Sequence, residues 1–148
     1  MVKLIASIGG IGYIKGGGSI AAAVWALVWY FLQAYNPNIS FQIISLILIT
    51  ILGIWTGNIV EKDWGKDSSK VVIDEVAGVA LTLVYVPVTW YYVLIGWILF
   101  RFFDIAKPLG IRKMERFPKG WGVMADDLLA GLYSAIVLQI IVASKFLN

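Results

Sequence analysis

From Phe41 to Val60 the chain runs for about 20 residues without one charged side chain, the length at which an α-helix crosses the hydrocarbon of a bilayer. A helix that is apolar on every side must be buried in a large protein or in lipid. An apolar surface as large as a chain 60% hydrophobic must show would aggregate in water, so a bilayer is the expected solvent. Other apolar runs reinforce the point. Ser19–Tyr35 ends at the turn signal Asn36-Pro37-Asn38, Val76–Phe100 is interrupted by Pro87, and Asp127–Leu147 is the last of them. Charged residues make up 14% of the sequence, against roughly 25% in soluble domains. The expected fold is all-α: one domain over residues 1–148, a polytopic membrane helical bundle of about five transmembrane or half-membrane helices.

The stretch 76–100 admits two readings, one kinked span or two shorter helices joined by a hairpin. Trp90, Tyr91 and Tyr92 just after Pro87 favour the hairpin, because aromatic rings settle at the headgroup level and the residue before proline prefers extended backbone. Charge distribution favours it too. All nine acidic residues lie between Glu61 and Asp127, and the basic residues cluster at 62–70 and 101–119. The connections 36–40 and 86–92 carry no charge. The positive-inside rule then puts both charged loops in the cytoplasm, which five helices allow and four do not. The glycine-interrupted N-terminus does not read as a cleavable signal peptide, so the first long helix is expected to remain in the membrane.

With no cysteine and no histidine, thiolate nucleophiles, Cys/His zinc sites and histidine acid–base chemistry are excluded. Catalysis must run on carboxylates, Lys, Arg, hydroxyls, backbone amides and a metal. Two acidic pairs stand out, Asp74-Glu75 before Gly78 and Asp126-Asp127 before Gly131, each expected at a helix start. One acid suffices to cap a helix or meet its dipole. Doubled carboxylates repel unless a cation lies between them. Hard oxygen ligands around a phosphate suit Mg²⁺, and the two glycines would let the helices approach. Arg101, Asp104 and Lys107 are spaced one helical turn apart. Arg101 is a candidate bidentate phosphate contact. Asp104 is a metal ligand or nucleophile, and Lys107 a second anion contact, unless the three are simply an ion-pair ladder. Glu61, sharing a face with Asn58, is a weaker candidate ligand. Gly120-Trp121-Gly122 reads as a tight loop delivering the last helix. The glycines at 9–18 could cradle an anion or form a flexible entry. They lack the Lys-Ser/Thr ending of a nucleotide loop, so neither a nucleotide nor a nucleic-acid partner is expected.

The strings KDSSKVVIDEVAG (66–78), FRFFDIAKPLGIRKME (100–115) and GWGVMADDLLAG (120–131), and more loosely GIGYIKGGGS (10–19), resemble the phosphatidylglycerophosphatase A family over most of the chain. The resemblance implies a multi-pass enzyme of the bacterial inner membrane acting at its cytoplasmic side. It implies Mg²⁺-dependent hydrolysis of the terminal phosphomonoester of phosphatidylglycerophosphate, a membrane phospholipid, to phosphatidylglycerol. By position its site residues are Asp74, Glu75, Arg101, Asp104, Lys107, Asp126 and Asp127. The family's P-G-T-x-G-S loop is replaced here by Ile14-Lys-Gly-Gly-Gly-Ser19, leaving Lys15 or Ser19 to supply its phosphate contact.

The expected catalytic set is therefore Asp74, Arg101, Asp104 and Asp127. Arg101, Lys107, Lys15 and Ser19 face the phosphate. Asp74, Glu75, Asp126, Asp127 and Glu61 are the candidate metal ligands. The attacking group is a metal-activated water or an aspartate, with water preferred. Some relatives act on other lipid phosphates, such as phosphoinositol lipids. An ion or proton transporter is the alternative of another class, but these acids gather at one interface. A CDP-alcohol type synthase would carry D-x₂-D-G…G-x₃-D-x₃-D, which is missing here.

Overall fold

A computed structural model describes residues 1–144 and is helical throughout, with no strand among the described residues. The order is α1 (Val2–Ala6), a 3₁₀ turn (Ile11–Tyr13), α2 (Gly17–Tyr35), α3 (Ile39–Trp64), α4 (Ile73–Thr82), α5 (Trp90–Ala106), α6 (Ile111–Met114) and α7 (Gly120–Ala143). Three of these, α2, α3 and α7, are long and apolar enough to cross a membrane. The expected end of the last span at Leu147 lies outside the described residues.

Local chemistry explains the boundaries. Asn38 caps α3, its side chain accepting from the Phe41 amide at 3.2 Å. Gly65, at φ 83°, ends α3. The stretch 76–100 is two helices. Leu83 ends α4, Tyr85 takes φ 61°, and Pro87 precedes the start of α5. Lys107, at φ 47° just before Pro108, ends α5.

The last helix begins earlier than the sequence suggests. Gly120-Trp121-Gly122 is its first turn rather than a loop, so Asp126 and Asp127 stand inside α7 and not at its entry. The reason is tertiary. The Gly120 amide donates to Asn58 Oδ1 at 2.9 Å, and a Cβ on Gly57 would lie 2.9 Å from the Gly120 Cα. Helix α3 thus caps α7 and starts it upstream of the acidic pair.

Helix α4 is the axis of the bundle, buried from Ile73 to Ala80 apart from the half-buried Glu75 and touched by α2, α3, α5 and α7. Its ten residues rise about 15 Å, half of a hydrocarbon core of about 30 Å. The main core joins Ala22, Ala26 and Trp29 of α2 to Val79, Phe100, Ala130 and Leu138 of the other helices. Outside it, large apolar side chains lie exposed along α2 and α3, among them Phe31, Ile44, Ile51 and Trp55. Such a surface is stable in lipid and not in water.

The two ends differ. At the uncharged end Gln33 Oε1 accepts from the Asn38 amide and from Gln42 Nε2, both at 2.9 Å. Gln42 Oε1 accepts from the Tyr85 amide at 3.1 Å, tying the α2–α3 turn to the α4–α5 hairpin. At the other end both charged loops meet, Lys66 and Asp67 facing residues 110–119 across one cleft. Lys3 pairs with Asp63 at 2.7 Å there. That arrangement is the one five helices require.

Helices α4 and α7 touch backbone to backbone. A Cβ on Gly131 would collide with the Gly78 carbonyl, and one on Gly78 would lie 2.8 Å from the Asp127 carbonyl oxygen and strike the Phe100 ring. Thr82 Oγ1 donates to the Gly78 carbonyl of its own helix (2.9 Å) and across the junction to the Gly131 carbonyl (3.3 Å). Gly131→Val is expected to destabilise the fold by about 1–3 kcal/mol through overpacking, read as a lower Tm in detergent. As the control one residue on, Leu132→Val at an exposed position should leave Tm within error.

Candidate active site

Gly78 and Gly131 each follow an aspartate by four residues, so Asp74 and Asp127 lie one turn from the junction on its two sides. The close approach brings them together. Asp74, Glu75 and Asp127 each offer a carboxylate oxygen, all within 4.8 Å of one another. Asp74 is 7% and Asp127 3% exposed. Asp74 Oδ1, Glu75 Oε2 and Asp127 Oδ2 are buried with no hydrogen-bond partner.

Arg101 reaches the cluster from α5. Its Nη1 lies 3.8 Å from Glu75 Oε1 and pairs closely with Asp104 Oδ2, while its Nε is buried without a partner. Arg101 and Asp104 do form the first rung of the expected ladder, but Lys107 leaves it. Turned away by its left-handed backbone, Lys107 bridges Asp126 Oδ2 and Glu115 Oε1, each at 2.5 Å. Burial alone would lower the Lys107 pKa, but the hydrogen bonds and charges of Asp126 and Glu115 outweigh it and hold the ammonium above its ordinary range.

The other sequence candidates sit apart from the trio. Asp126 is engaged by Lys107, though its Oδ1 is buried and unpaired. Glu61 has a buried, unpaired Oε2 but does not join the three-carboxylate group. Lys15 is exposed, and Ser19 stands half-buried in the first turn of α2. Asn58 is committed to the start of α7. Glu115 has no role assigned from the sequence, and Gly18 falls there only within a possible anion cradle. Glu115 is the second partner of Lys107. Gly18 admits Glu75, whose Oε1 occupies the space a Cβ there would need. The anion at the glycine-rich start of α2 is therefore the protein's own Glu75. The motif containing Glu115 was visible, but only the fold reveals its contact.

Three carboxylates this close repel by about 4 kcal/mol per ionised pair at 4 Å and an effective dielectric of 20. Among the described residues, Arg101 is the cation placed to offset them. The orphaned oxygens, all hard donors, fit a divalent cation of the Mg²⁺ type and offer no soft ligand.

The buried carboxylate trio with Arg101 beside it is thus the candidate site, set in an all-helical bundle with three membrane-capable helices. The chain belongs to the phosphatidylglycerophosphatase A family, whose model matches residues 4–142, and it is an enzyme of the phosphomonoester-hydrolysing class. A Bacteroides thetaiotaomicron protein described as "Putative phosphatidylinositol-3-phosphatase" is 45% identical over 84% of this chain and 79% of its own length. Proteins named phosphatidylglycerophosphatase A from Haemophilus influenzae and Escherichia coli are 34% and 35% identical, over 82% and 84% of this chain and 74% and 71% of theirs. No solved structure matches the chain significantly.

Relief of carboxylate crowding predicts a sign. In chelator, Asp127→Asn should raise Tm, since it removes one of three repelling charges. With millimolar Mg²⁺ the wild type should gain stability and the variant should not. A wild-type Tm indifferent to the cation would remove the metal assignment.

Proposed function

We propose that the protein is a Mg²⁺-dependent lipid phosphate phosphatase. In this reading it removes the terminal phosphomonoester of phosphatidylglycerophosphate to leave phosphatidylglycerol, at the cytoplasmic face of a bacterial inner membrane. The observation that carries the reading is the trio Asp74, Glu75 and Asp127, with its unpaired oxygens, beside Arg101. The family and the two relatives named phosphatidylglycerophosphatase A support the substrate.

Asp74, Glu75 and Asp127 would hold Mg²⁺, which when bound supplies charge neutralisation at the phosphoryl oxygens and lowers the pKa of water. Arg101 takes the phosphate; its free Nε offers a second donor for a bidentate grip. Asp104 orients the guanidinium through their ion pair. The oxygen of a water forms the new bond to phosphorus as the bond to the headgroup oxygen breaks. A proton from that water ends on the departing oxygen, giving the lipid alcohol and inorganic phosphate. Without histidine or cysteine, a carboxylate must carry the proton. Lys107 keeps Asp126 and Glu115 together behind the trio. Ser19, in the turn next to the Gly18–Glu75 contact, is a further headgroup contact and a better one than the exposed Lys15.

A second reading takes a phosphoinositol lipid as substrate, favoured by the higher identity to the Bacteroides thetaiotaomicron relative. Phosphate release by purified protein in detergent separates the two. Release from phosphatidylglycerophosphate should need Mg²⁺ and exceed that from phosphatidylinositol 3-phosphate; the reverse order selects the second reading. Arg101→Gln should lower kcat about 10²–10³-fold, as loss of a transition-state donor does. Full Mg²⁺-dependent release by Asp127→Ala would overturn the ligand assignment. A phosphoaspartate trapped by rapid quench would replace water attack by aspartate attack.

A further inference from the structure

An apolar groove of about 390 Å³ lies between α2 and α5. Ala26 and Val93 form its buried side, Ala23 is half-buried, and Trp90 and Leu94 stand exposed along it. It exists because α2 carries alanine at 23 and 26, where larger side chains would fill the space against α5.

Helix register ties this groove to the candidate active site. On α5 the lining residues Trp90, Leu94 and Trp97 recur at intervals of four and three residues, which is one face of a helix. The next position on that face, four residues further, is Arg101. On α2 the lining residues Ala23, Ala26 and Tyr30 share a face whose preceding position, four residues back, is Ser19. Helix α2 begins at the charged end and α5 finishes there, so both stripes arrive together. Trp97 Nε1 donates to the Ser19 carbonyl at 3.2 Å, which fixes the end of the groove at the first turn of α2. There Gly18 leaves room for Glu75 Oε1, and Arg101 Nη1 lies 3.8 Å from that oxygen. Along its own helix Arg101 is only about 6 Å beyond Trp97.

Depth runs in the sense a lipid requires. From Trp97 to Trp90 the groove extends about 10 Å, away from the charged loops and along a helix able to cross the membrane. A lipid in the leaflet at the charged end has its phosphate at the loops and its chains toward the bilayer centre. No charged residue lines the groove, and the Trp97 indole N–H is already engaged, so its walls suit hydrocarbon and not a headgroup.

We propose that the α2–α5 groove holds one acyl chain of the lipid substrate while the terminal phosphate is held at Arg101. The inference rests on the phosphatase reading above and deepens it. The substrate then enters sideways from the leaflet between α2 and α5, and the rim at Ser19 and Trp97 faces the headgroup between chain and phosphate.

The test fills the groove. For dioctanoyl phosphatidylglycerophosphate, Ala23→Phe should raise KM about tenfold with kcat within about twofold, the pattern of a lost binding contact, and the retained kcat shows a folded enzyme. Inhibition by the deacylated headgroup, which has no chain, should not change. Val24→Phe, at an exposed position lining a different groove beside α3, should leave KM as in the wild type. An equal loss for lipid and headgroup would put the damage at the phosphate site and overturn the groove. So would an unchanged KM in Ala23→Phe, or a rise in Val24→Phe alone. A capture experiment needs neither turnover nor a filled groove. In chelator, a photoreactive benzophenone side chain placed at Leu94 should capture chain-labelled phosphatidylglycerophosphate saturably. The same group at Ile44, exposed on α3, should capture it without saturation. Equal, unsaturable capture at both would make the occupant bulk lipid, and capture of a second copy of the chain at Leu94 would make the groove a subunit interface. Either result overturns the proposal. Saturable capture at Leu94 with no hydrolysis of any lipid phosphate would count against the phosphatase reading alone.

Discussion

The Gly78–Gly131 contact sets the geometry on which the site depends. Two helices ordinarily pack 8–10 Å apart because side chains keep their axes separated. Here the missing side chains let backbone meet backbone, with the Thr82 hydroxyl bonded across the junction. Each glycine is four residues beyond an aspartate, so the same contact that packs α4 on α7 forces Asp74 and Asp127 together. Packing energy from the helices is spent to hold charges in a position they would leave if free. Glu75 completes the trio because a third glycine, Gly18, leaves room for it at the start of α2.

Around that core the ions are arranged in two layers. The inner one holds Asp74, Glu75 and Asp127 with Arg101 and Asp104, and is short of positive charge. The outer one holds Asp126, Lys107 and Glu115, and is closely hydrogen-bonded. Adjacent residues on α7 thus have different partners. Asp127 faces the trio and Asp126 is tied to the end of α5. Pairing offsets part of the cost of burying a carboxylate, whereas an unpaired one is left without any offset. The inner layer is therefore where a cation and a phosphate have most to gain.

The surroundings explain why so small a chain can carry such a site. In water, a fold this size would bury too little apolar surface to hold several acids inside. In lipid the exposed faces of α2 and α3 need no cover, and backbone bonds are closed within the helices. Half-length α4 is shielded on its flanks by longer neighbours, which lets an acidic helix start sit inside the bundle while its loops remain at the charged end.

Much of this was legible from residue order. Uncharged runs of membrane length dictate helices, because no other open structure satisfies its backbone in lipid. The charge-free turns and Pro87 divide 76–100 into two helices, and the acidic pairs with their following glycines mark where helices meet. Other features depended on contacts between residues distant in sequence. Asn58 starts α7 before its acids, Lys107 turns from Arg101 toward Asp126 and Glu115, Glu75 fills the place where the glycine run suggested a ligand, and Glu61 stays outside the trio. Periodicity determines which face a residue occupies along its own helix. Which of several neighbouring charges it then meets is decided by helix approach and backbone turns, and those are set by packing across the whole bundle.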